Sequence, residues 1–163
     1  MTIEPLFNAD DNEWVVMVGR YVLNMGAVEA TTRQLISLHE QIDRAPVMNA
    51  DLPSRLGFLK KRFPRGNPER HSWAMSIFIV ANKHVGFRNI VAHSPLMITG
   101  HDDGSRHIRG ILNLTPNHPD NVGQLVDLDE MRGRVDESAQ LARLLLEMQD
   151  DFKAKGVGLP VNS

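Results

Sequence analysis

The sequence predicts an all-α fold, an up-and-down bundle of four or more helices with a small β-hairpin inserted before the last helix. Apolar residues recur at helical spacing in long segments near both ends of the chain. A third segment, Ser72 to Phe87, is among the most apolar of all. After Pro95 the helical period gives way to short apolar runs around an Asp-Gly turn, which predicts a hairpin.

Composition limits the classes to which this chain can belong. Its 163 residues suit one domain, and a 42% hydrophobic content is enough for a core. The chain has no cysteine, which excludes disulfides and thiolate zinc sites. We expect one helical domain over residues 1–155 and a loose tail over 156–163.

The sequence also predicts where the protein works. No apolar run reaches the length of a membrane span. No basic residue precedes Arg20, unlike the start of a signal peptide. We therefore expect a soluble cytoplasmic protein with no membrane partner. The sequence has no Gly-rich phosphate loop, and we expect no cofactor.

The first predicted helix begins near Asn8 to Asn12 and ends near Asp43 to Pro46. Its apolar stripe consists of Trp14, Val18, Tyr21, Met25, Val28, Leu35 and Ile42. Glu29 lies among apolar residues of a second stripe and is a candidate to pair with Arg88. The alternative is a carboxylate at the edge of the surface.

Basic residues concentrate in one part of the chain, although the net charge is −2. A linker, Met48 to Pro53, leads to a short helix, Leu52 to Phe63. The basic residues between Leu52 and His71 are Arg55, Lys60, Lys61, Arg62, Arg65 and Arg70. Such a surface can follow an RNA backbone, for which the candidates are Lys60, Lys61, Arg62 and Arg65. An ordinary solvated face explains the same residues equally well.

The next predicted helix begins near Pro68, a favourable residue for a first turn. It carries a stripe of Trp73, Ile77, Val80 and His84, followed by Arg88. Because His84 and Arg88 are four residues apart, they share a helical face. His84 is therefore a candidate to border a site at Arg88. A histidine on the helix surface is the alternative.

Two predicted strands flank the Asp103-Gly104 turn, Leu96 to Thr99 and Ile108 to Leu114, and we expect them to form a surface extension. A third short extended piece is predicted at Gln124 to Val126. The acidic and histidine residues around the turn have no metal-ligand spacing, so we expect no metal there: His101, Asp102, Asp103 and His107.

The last predicted helix starts with Asp127 as its cap and Glu130 three residues later. It runs to about Lys155. Its wide apolar face consists of Leu128, Met131, Val135, Leu141, Ala142, Leu144, Leu145, Met148 and Phe152. A face of this kind is typical of core or dimer contacts.

One polar pair closes the apolar middle segment, in Phe87-Arg88-Asn89-Ile90-Val91-Ala92-His93-Ser94-Pro95. Histidine can accept and donate a proton near neutral pH, and arginine offers a planar fork of donors to phosphate oxygens. Five residues on a helix give an offset of about 140°. We therefore expect the backbone to leave α-geometry between Arg88 and His93. The alternative is that both residues only cap the negative end of the helix.

The run Arg88-Asn89-x-x-x-His93 resembles the R-polar-x-x-x-H signature of the HEPN superfamily, small all-α domains that include metal-independent endoribonucleases and toxins. The helix order also fits over about 140 residues. The resemblance implies that Arg88 and His93 are catalytic and that Asn89 supports them. It further implies a homodimer with the two motifs across one RNA cleft. A toxin role, with a separate antitoxin protein, follows from the resemblance only.

The function we predict is metal-independent RNA cleavage through attack of the ribose 2′-hydroxyl. His93 moves the proton, Arg88 stabilises the phosphate and Asn89 orients one of them or the substrate. One alternative is a non-catalytic dimeric interaction module in which the same residues stabilise the turn. Another is an RNA-binding regulator that uses the basic segment.

Overall fold

A computed structural model describes residues 11–39, 45–100, 102, 106–113 and 124–155 of the chain. The helices are α1 (Asn12–Ser37), α2 (Ala45–Met48), α3 (Leu52–Arg62), α4 (Pro68–His93) and α5 (Leu128–Lys155). The strands are β1 (Leu96–Gly100), β2 (Arg106–Asn113) and β3 (Gln124–Val126). The predicted all-α class, with a small antiparallel insertion before the last helix, is confirmed.

Side-chain caps fix the starts of three helices. The Asp51 carboxylate accepts a hydrogen bond from Ser54 N (2.9 Å) before α3. The Asn67 amide oxygen accepts one from Arg70 N (3.0 Å) before α4. Asp127 Oδ1 accepts one from Glu130 N (2.8 Å) before α5, which confirms the predicted cap. Each cap satisfies an amide that has no partner within its helix.

The predicted end of the first helix is wrong, because α1 stops at Ser37. Its last turn tightens: Leu38 N donates to both Gln34 O and Leu35 O, and His39 N donates to Ile36 O. The Ser37 hydroxyl also donates to Gln34 O (2.7 Å) and so competes for a helical carbonyl. The predicted linker at Met48 is wrong as well, because Met48 is the last residue of α2.

The three strands form an antiparallel sheet in the order β1-β2-β3. Leu96 pairs with Ile111, Ile111 pairs with Val126, and the β1 register shifts after Met97. A Cβ at Gly110 would collide with the carbonyl oxygen of Val126 and with the Leu125 side chain. Only glycine allows β3 to approach β2 this closely.

The chain divides into two compact units, and each is built from separate stretches. The first unit comprises Met1–Leu23 and Phe87–Glu137. Ile111 and Val126 of the sheet are buried in it, and Ile108 N donates to the Asp11 carboxylate (2.8 Å). The expectation of a mere surface extension is therefore wrong for β2, a central strand. It holds for β1, whose three apolar residues are exposed: Leu96, Met97 and Ile98.

The second unit comprises Asn24–Gly86 and Ser138–Ser163. Its core includes an aromatic cluster in which the Phe63 ring lies 5.1 Å from Phe152 and 6.1 Å from Phe78. Arg70 covers the Phe152 ring at 5.0 Å and donates to Asp151 at 2.7 Å. The buried apolar residues of α3 at its core are Leu52, Leu56 and Leu59, with the spacing of one helical face.

No helix in the described part of the chain combines the length and the apolar character that crossing a membrane requires.

Candidate active site at the end of helix α4

The motif residues lie in the last two turns of α4, which remains α-helical through His93. Ser94 N still donates to Ile90 O at 2.9 Å, and the helix ends before Pro95. The expected departure from α-geometry between Arg88 and His93 is therefore wrong. The proline acts one residue after the motif, where it disfavours helical geometry at Ser94.

Arg88, Asn89, Ala92 and His93 are all exposed, whereas Phe87 is 5% exposed. At about 100° per residue, Ala92 lies about 40° from Arg88 and Asn89 about 40° from His93. The four residues thus occupy one solvent-facing arc of about 140°. Arg88 and His93 form its edges, and the small Ala92 lies between them with Asn89.

The opposite side of this helix end is anchored by Phe87. Its ring meets the Tyr21 ring of α1 edge to face, with centroids 5.1 Å apart and an interplanar angle of 82°. The Arg134 guanidinium of α5 lies over the same Phe87 ring at 5.0 Å. Aromatic and cation–π contacts from two other helices therefore hold the helix where it carries the motif.

Burial and the charges of three residues of the first unit set the pKa of the Tyr21 hydroxyl. Burial raises the pKa of this hydroxyl well above its ordinary value; the positive charges of Arg134 and Arg88 oppose the rise, and Glu137 adds to it. Arg134 also pairs with Glu137 at 3.3 Å and with Glu130 at 3.4 Å. The charges of Arg134, Arg88 and Glu137 thus all act on Tyr21, a relation that the sequence did not identify.

The sequence indicated part of this arrangement. Tyr21 occupies the predicted buried stripe of α1, and it is the chain's one tyrosine. A hydroxyl at a core position calls for a polar partner. Arg134 and Glu137 are three residues apart on α5, a spacing that predicts their mutual pairing but not their position near Tyr21.

The two supporting candidates, Glu29 and His84, belong to the second unit. Glu29 forms an ion pair with Arg55, at 3.6 Å between Oε2 and Nη2. His84 is 1% exposed, so the alternative of a histidine on the helix surface is wrong. Its place on the buried stripe with Ile77 explains this, because the helical period outweighs the polarity of one side chain.

The basic segment of the second unit is only partly a surface. Lys61, Arg62 and Arg65 are exposed, and Lys60 is half-buried. Arg55 is different, because it is 1% exposed. It lies three residues after Leu52 and four before Leu59, which is the core-facing spacing of α3. The last turn of α3 consists of Lys60, Lys61 and Arg62, where positive charges interact favourably with the helix dipole.

Groups of three or more histidine and acidic side chains that can hold a metal ion do not occur among the described residues. His101 and Asp103 of the predicted turn lie outside those residues.

A shallow surface depression occurs in the second unit, at the start of α4. Its lining consists of Asn67, Glu69, Arg70, Trp73, Asp151 and Lys155. Asp151 is already engaged by Arg70 (2.7 Å) and by Lys155 (2.6 Å). These cations are therefore committed to a structural carboxylate, and the depression does not include the motif.

Comparison of the chain with protein-family models, with curated proteins and with solved structures found no match.

Proposed function

We propose that this protein is a metal-independent endoribonuclease that uses Arg88, Asn89 and His93. One observation carries the proposal: the three polar motif residues share one exposed arc at the end of α4, above a buried Phe87 anchor. Solvent-facing arginine and histidine can reach a phosphodiester, whereas core residues cannot. The resemblance to the HEPN signature supports the same residues.

In this proposal the scissile phosphate lies over Ala92 and Asn89, between Arg88 and His93. His93 takes the proton of the ribose 2′-hydroxyl as a general base. The 2′-oxygen then bonds to phosphorus while the bond from phosphorus to the 5′-oxygen breaks. The products are a 2′,3′-cyclic phosphate and a 5′-hydroxyl. Arg88 stabilises the negative charge that grows on the phosphate oxygens.

A second copy of the chain completes this chemistry. The leaving 5′-oxygen needs a proton at the same time as His93 takes the proton of the 2′-hydroxyl. The partner's His93 would supply the proton for the 5′-oxygen. A homodimer is also supported by the apolar side chains that α1 exposes in the same unit as the motif. These are Val15 (48%), Val16 (45%), Val22 (54%) and Leu23 (74%). Apolar patches of this kind favour association.

The same apolar face supports a second candidate function, a dimeric interaction module without catalysis. In that case Arg88 and His93 contribute to the dimer and to the end of α4. RNA cleavage separates the two candidates, because only the first needs proton transfer at His93.

The test is cleavage of a mixed panel of RNA transcripts by the purified protein in EDTA. We expect RNA to be cut and DNA of the same sequence to stay intact, because DNA lacks the 2′-hydroxyl. His93→Ala should lower the rate about 10²–10⁴-fold, and Arg88→Ala should lower it comparably. Arg88→Lys should restore little, because a point charge does not reproduce the planar fork.

Two control variants match these changes. Lys83→Ala removes an exposed cation from α4, and Arg143→Ala removes one from α5, where Arg143 is 70% exposed. Both should cut RNA at the wild-type rate. A wild type that cuts no transcript, together with a His93→Ala protein that loses its dimer, would favour the interaction module.

A further inference from the structure

The chain has two tryptophans, Trp14 and Trp73, and their surroundings differ. Trp14 is 5% exposed and belongs to the core of the first unit. Trp73 is half-buried and lies on α4 in the second unit. Within the described part of the chain, no aromatic ring and no guanidinium group stacks on the Trp73 indole. The indole ring therefore remains available to a ligand.

Trp73 lines the surface depression at the start of α4, which has a volume of about 360 Å³. Two cations and two carboxylates share this lining, so its charges balance: Arg70, Lys155, Asp151 and Glu69. Asp151 binds Arg70 at 2.7 Å and Lys155 at 2.6 Å, which holds these side chains in place. Because the depression is shallow and its lining has no net charge, it suits a flat, uncharged group that stacks on the indole.

The basic segment leads directly to this depression. The Phe63 ring, directly after α3, lies 6.0 Å from the His71 ring of α4, and the Arg70 guanidinium lies 5.9 Å from the same Phe63 ring. The end of α3 therefore packs against the start of α4. Arg65 is exposed and lies two residues before Asn67, which lines the depression. A polymer that crosses the depression would thus meet positive charge on the side of α3.

We propose that this depression binds an unpaired base of a single-stranded nucleic acid, which stacks on the Trp73 indole while Arg65 and Lys61 contact the adjoining phosphates. An aromatic ring beside exposed cations is what a single strand requires, because any base can stack and the cations attract its backbone. In a duplex the bases are already stacked on one another and cannot reach the ring. The site belongs to the second unit and does not depend on cleavage at the motif.

The test measures binding of a short oligoadenylate RNA to the full chain with His93→Ala, so that the motif does not cut the RNA. Anisotropy of a labelled strand gives Kd. Unlabelled RNA should quench the fluorescence of Trp73 to saturation, whereas the buried Trp14 should not respond. The same RNA in a duplex should bind about 10-fold more weakly. Oligodeoxyadenylate should bind within about 3-fold of the RNA, because neither stacking nor phosphate contact requires the 2′-hydroxyl.

Matched variants separate stacking from charge. Trp73→Leu keeps an apolar side chain without an aromatic face, and should weaken binding about 10-fold. Trp73→Phe keeps an aromatic face, so Kd should change less than about 3-fold while the quenching disappears. Arg65→Ala should lower the slope of log Kd against log salt concentration by about 0.7. Arg143→Ala removes a 70% exposed cation of α5 and should change neither Kd nor the slope. Far-UV circular dichroism restricts the comparison to folded variants.

Unchanged affinity in a folded Trp73→Leu protein would overturn the proposal. Equal losses in Trp73→Leu and Trp73→Phe would do the same, as would a DNA strand that does not bind or a polyglutamate peptide that binds as tightly as the RNA. The proposed function fails separately. If the wild type cuts no RNA but binds the oligonucleotide with quenching of Trp73, the endoribonuclease is excluded and this site stands. Cleavage of RNA by a chain in which Trp73→Leu leaves Kd unchanged has the opposite meaning.

Discussion

At the scale of single residues, the end of α4 separates two kinds of side chain. Arg88, Asn89 and His93 are exposed, and Phe87 is buried with Tyr21. Between the exposed polar residues lies Ala92, whose side chain is a single methyl group. In the proposed function this small side chain leaves room for the scissile phosphate.

Ala92→Leu tests that room. Leucine is nearly as good a helix former as alanine, so stability should change by less than about 0.5 kcal/mol at this exposed position. RNA cleavage should fall about 100-fold, because the larger side chain displaces the phosphate from Arg88 and His93. Ala154→Leu, an exposed position of α5, is the control and should leave cleavage unchanged. Full cleavage by Ala92→Leu would remove Ala92 from the floor of the site.

Arg55 presents a different residue-scale feature, a charge inside the second unit. Its Nε and Nη1 atoms are buried and have no hydrogen-bond partner within the described part of the chain, and Nη2 is 3.6 Å from Glu29. Burial lowers the pKa of Arg55, as does the nearby Arg33, and Glu29 opposes them. The guanidinium thus depends on Glu29 for most of its compensation.

From this we expect an asymmetric response to mutation. Glu29→Gln should cost about 2 kcal/mol of unfolding free energy, because a buried charge loses its partner. Arg55→Met should cost less, because the apolar side chain suits the site and Glu29, 22% exposed, can meet water. Urea unfolding of both variants gives the comparison. The reverse order of stabilities would contradict this account of the pair.

The sequence predicts the burial of these residues from local helical spacing, but it does not predict their contacts with distant segments. Helical spacing predicts that Tyr21 is buried, and applied to α3 it predicts the same for Arg55. The polarity of Arg55 led instead to a surface assignment. That the Tyr21 ring meets Phe87, with Arg134 over the same Phe87 ring, depends on packing among three helices, and no local pattern carries that information.

At the scale of elements, the sheet depends on a close approach at Gly110. Gly110→Ala should cost about 1–3 kcal/mol, because the new methyl group collides with the Val126 carbonyl and the Leu125 side chain. Gly133→Ala, at an exposed position of α5, is the opposite case, since nothing lies within 4 Å of its Cβ position. This variant should gain about 0.5–1 kcal/mol of unfolding free energy.

Urea midpoints of the two glycine variants measure this difference. Stabilisation by both would show that β3 can move away from β2 without cost. The turn residues and β-branched runs were sufficient to locate the strands. They did not indicate that β2 is buried, because burial of a strand is decided by the neighbours on each side of it.

At the scale of the whole molecule, ion pairs join residues far apart in sequence. Arg70 of α4 and Asp151 of α5 are 81 residues apart and meet at 2.7 Å. Hydrogen bonds from Lys155 and Arg70 lower the pKa of the Asp151 carboxyl, and burial opposes them. Asp151 is only 17% exposed, so this pair is shielded from water more than a surface pair is.

Low pH should therefore weaken the Arg70–Asp151 ion pair. A carboxyl whose folded pKa lies below its unfolded value of about 3.9 stabilises the protein at higher pH. That contribution is lost as pH falls through the folded pKa. Asp151→Asn should be less stable than the wild type at pH 7, and the difference should shrink below about pH 3. Urea unfolding at both pH values tests this, with the exposed Asp136→Asn as control. A difference that is independent of pH would contradict it.

The sequence is least informative at this scale. It predicted the order of elements from periods and turn signals, which are local. It did not predict that α1 ends at Ser37 or that the described residues form two units, each from separate stretches. These features follow from contacts between distant segments, which one sequence does not record.

The short connections between the sheet and its neighbouring helices limit the insertions and deletions that the chain can tolerate. Only Ser94 and Pro95 separate α4 from β1, and Asp127 alone separates β3 from α5. One residue inserted before Ser94 as an extension of α4 would rotate the residues that follow by about 100° around the helix axis. Deletions and insertions at these junctions should be depleted in a selection for folded protein, even where substitutions survive. These two junctions would therefore preserve the number of their residues as well as the identities of Pro95 and Asp127.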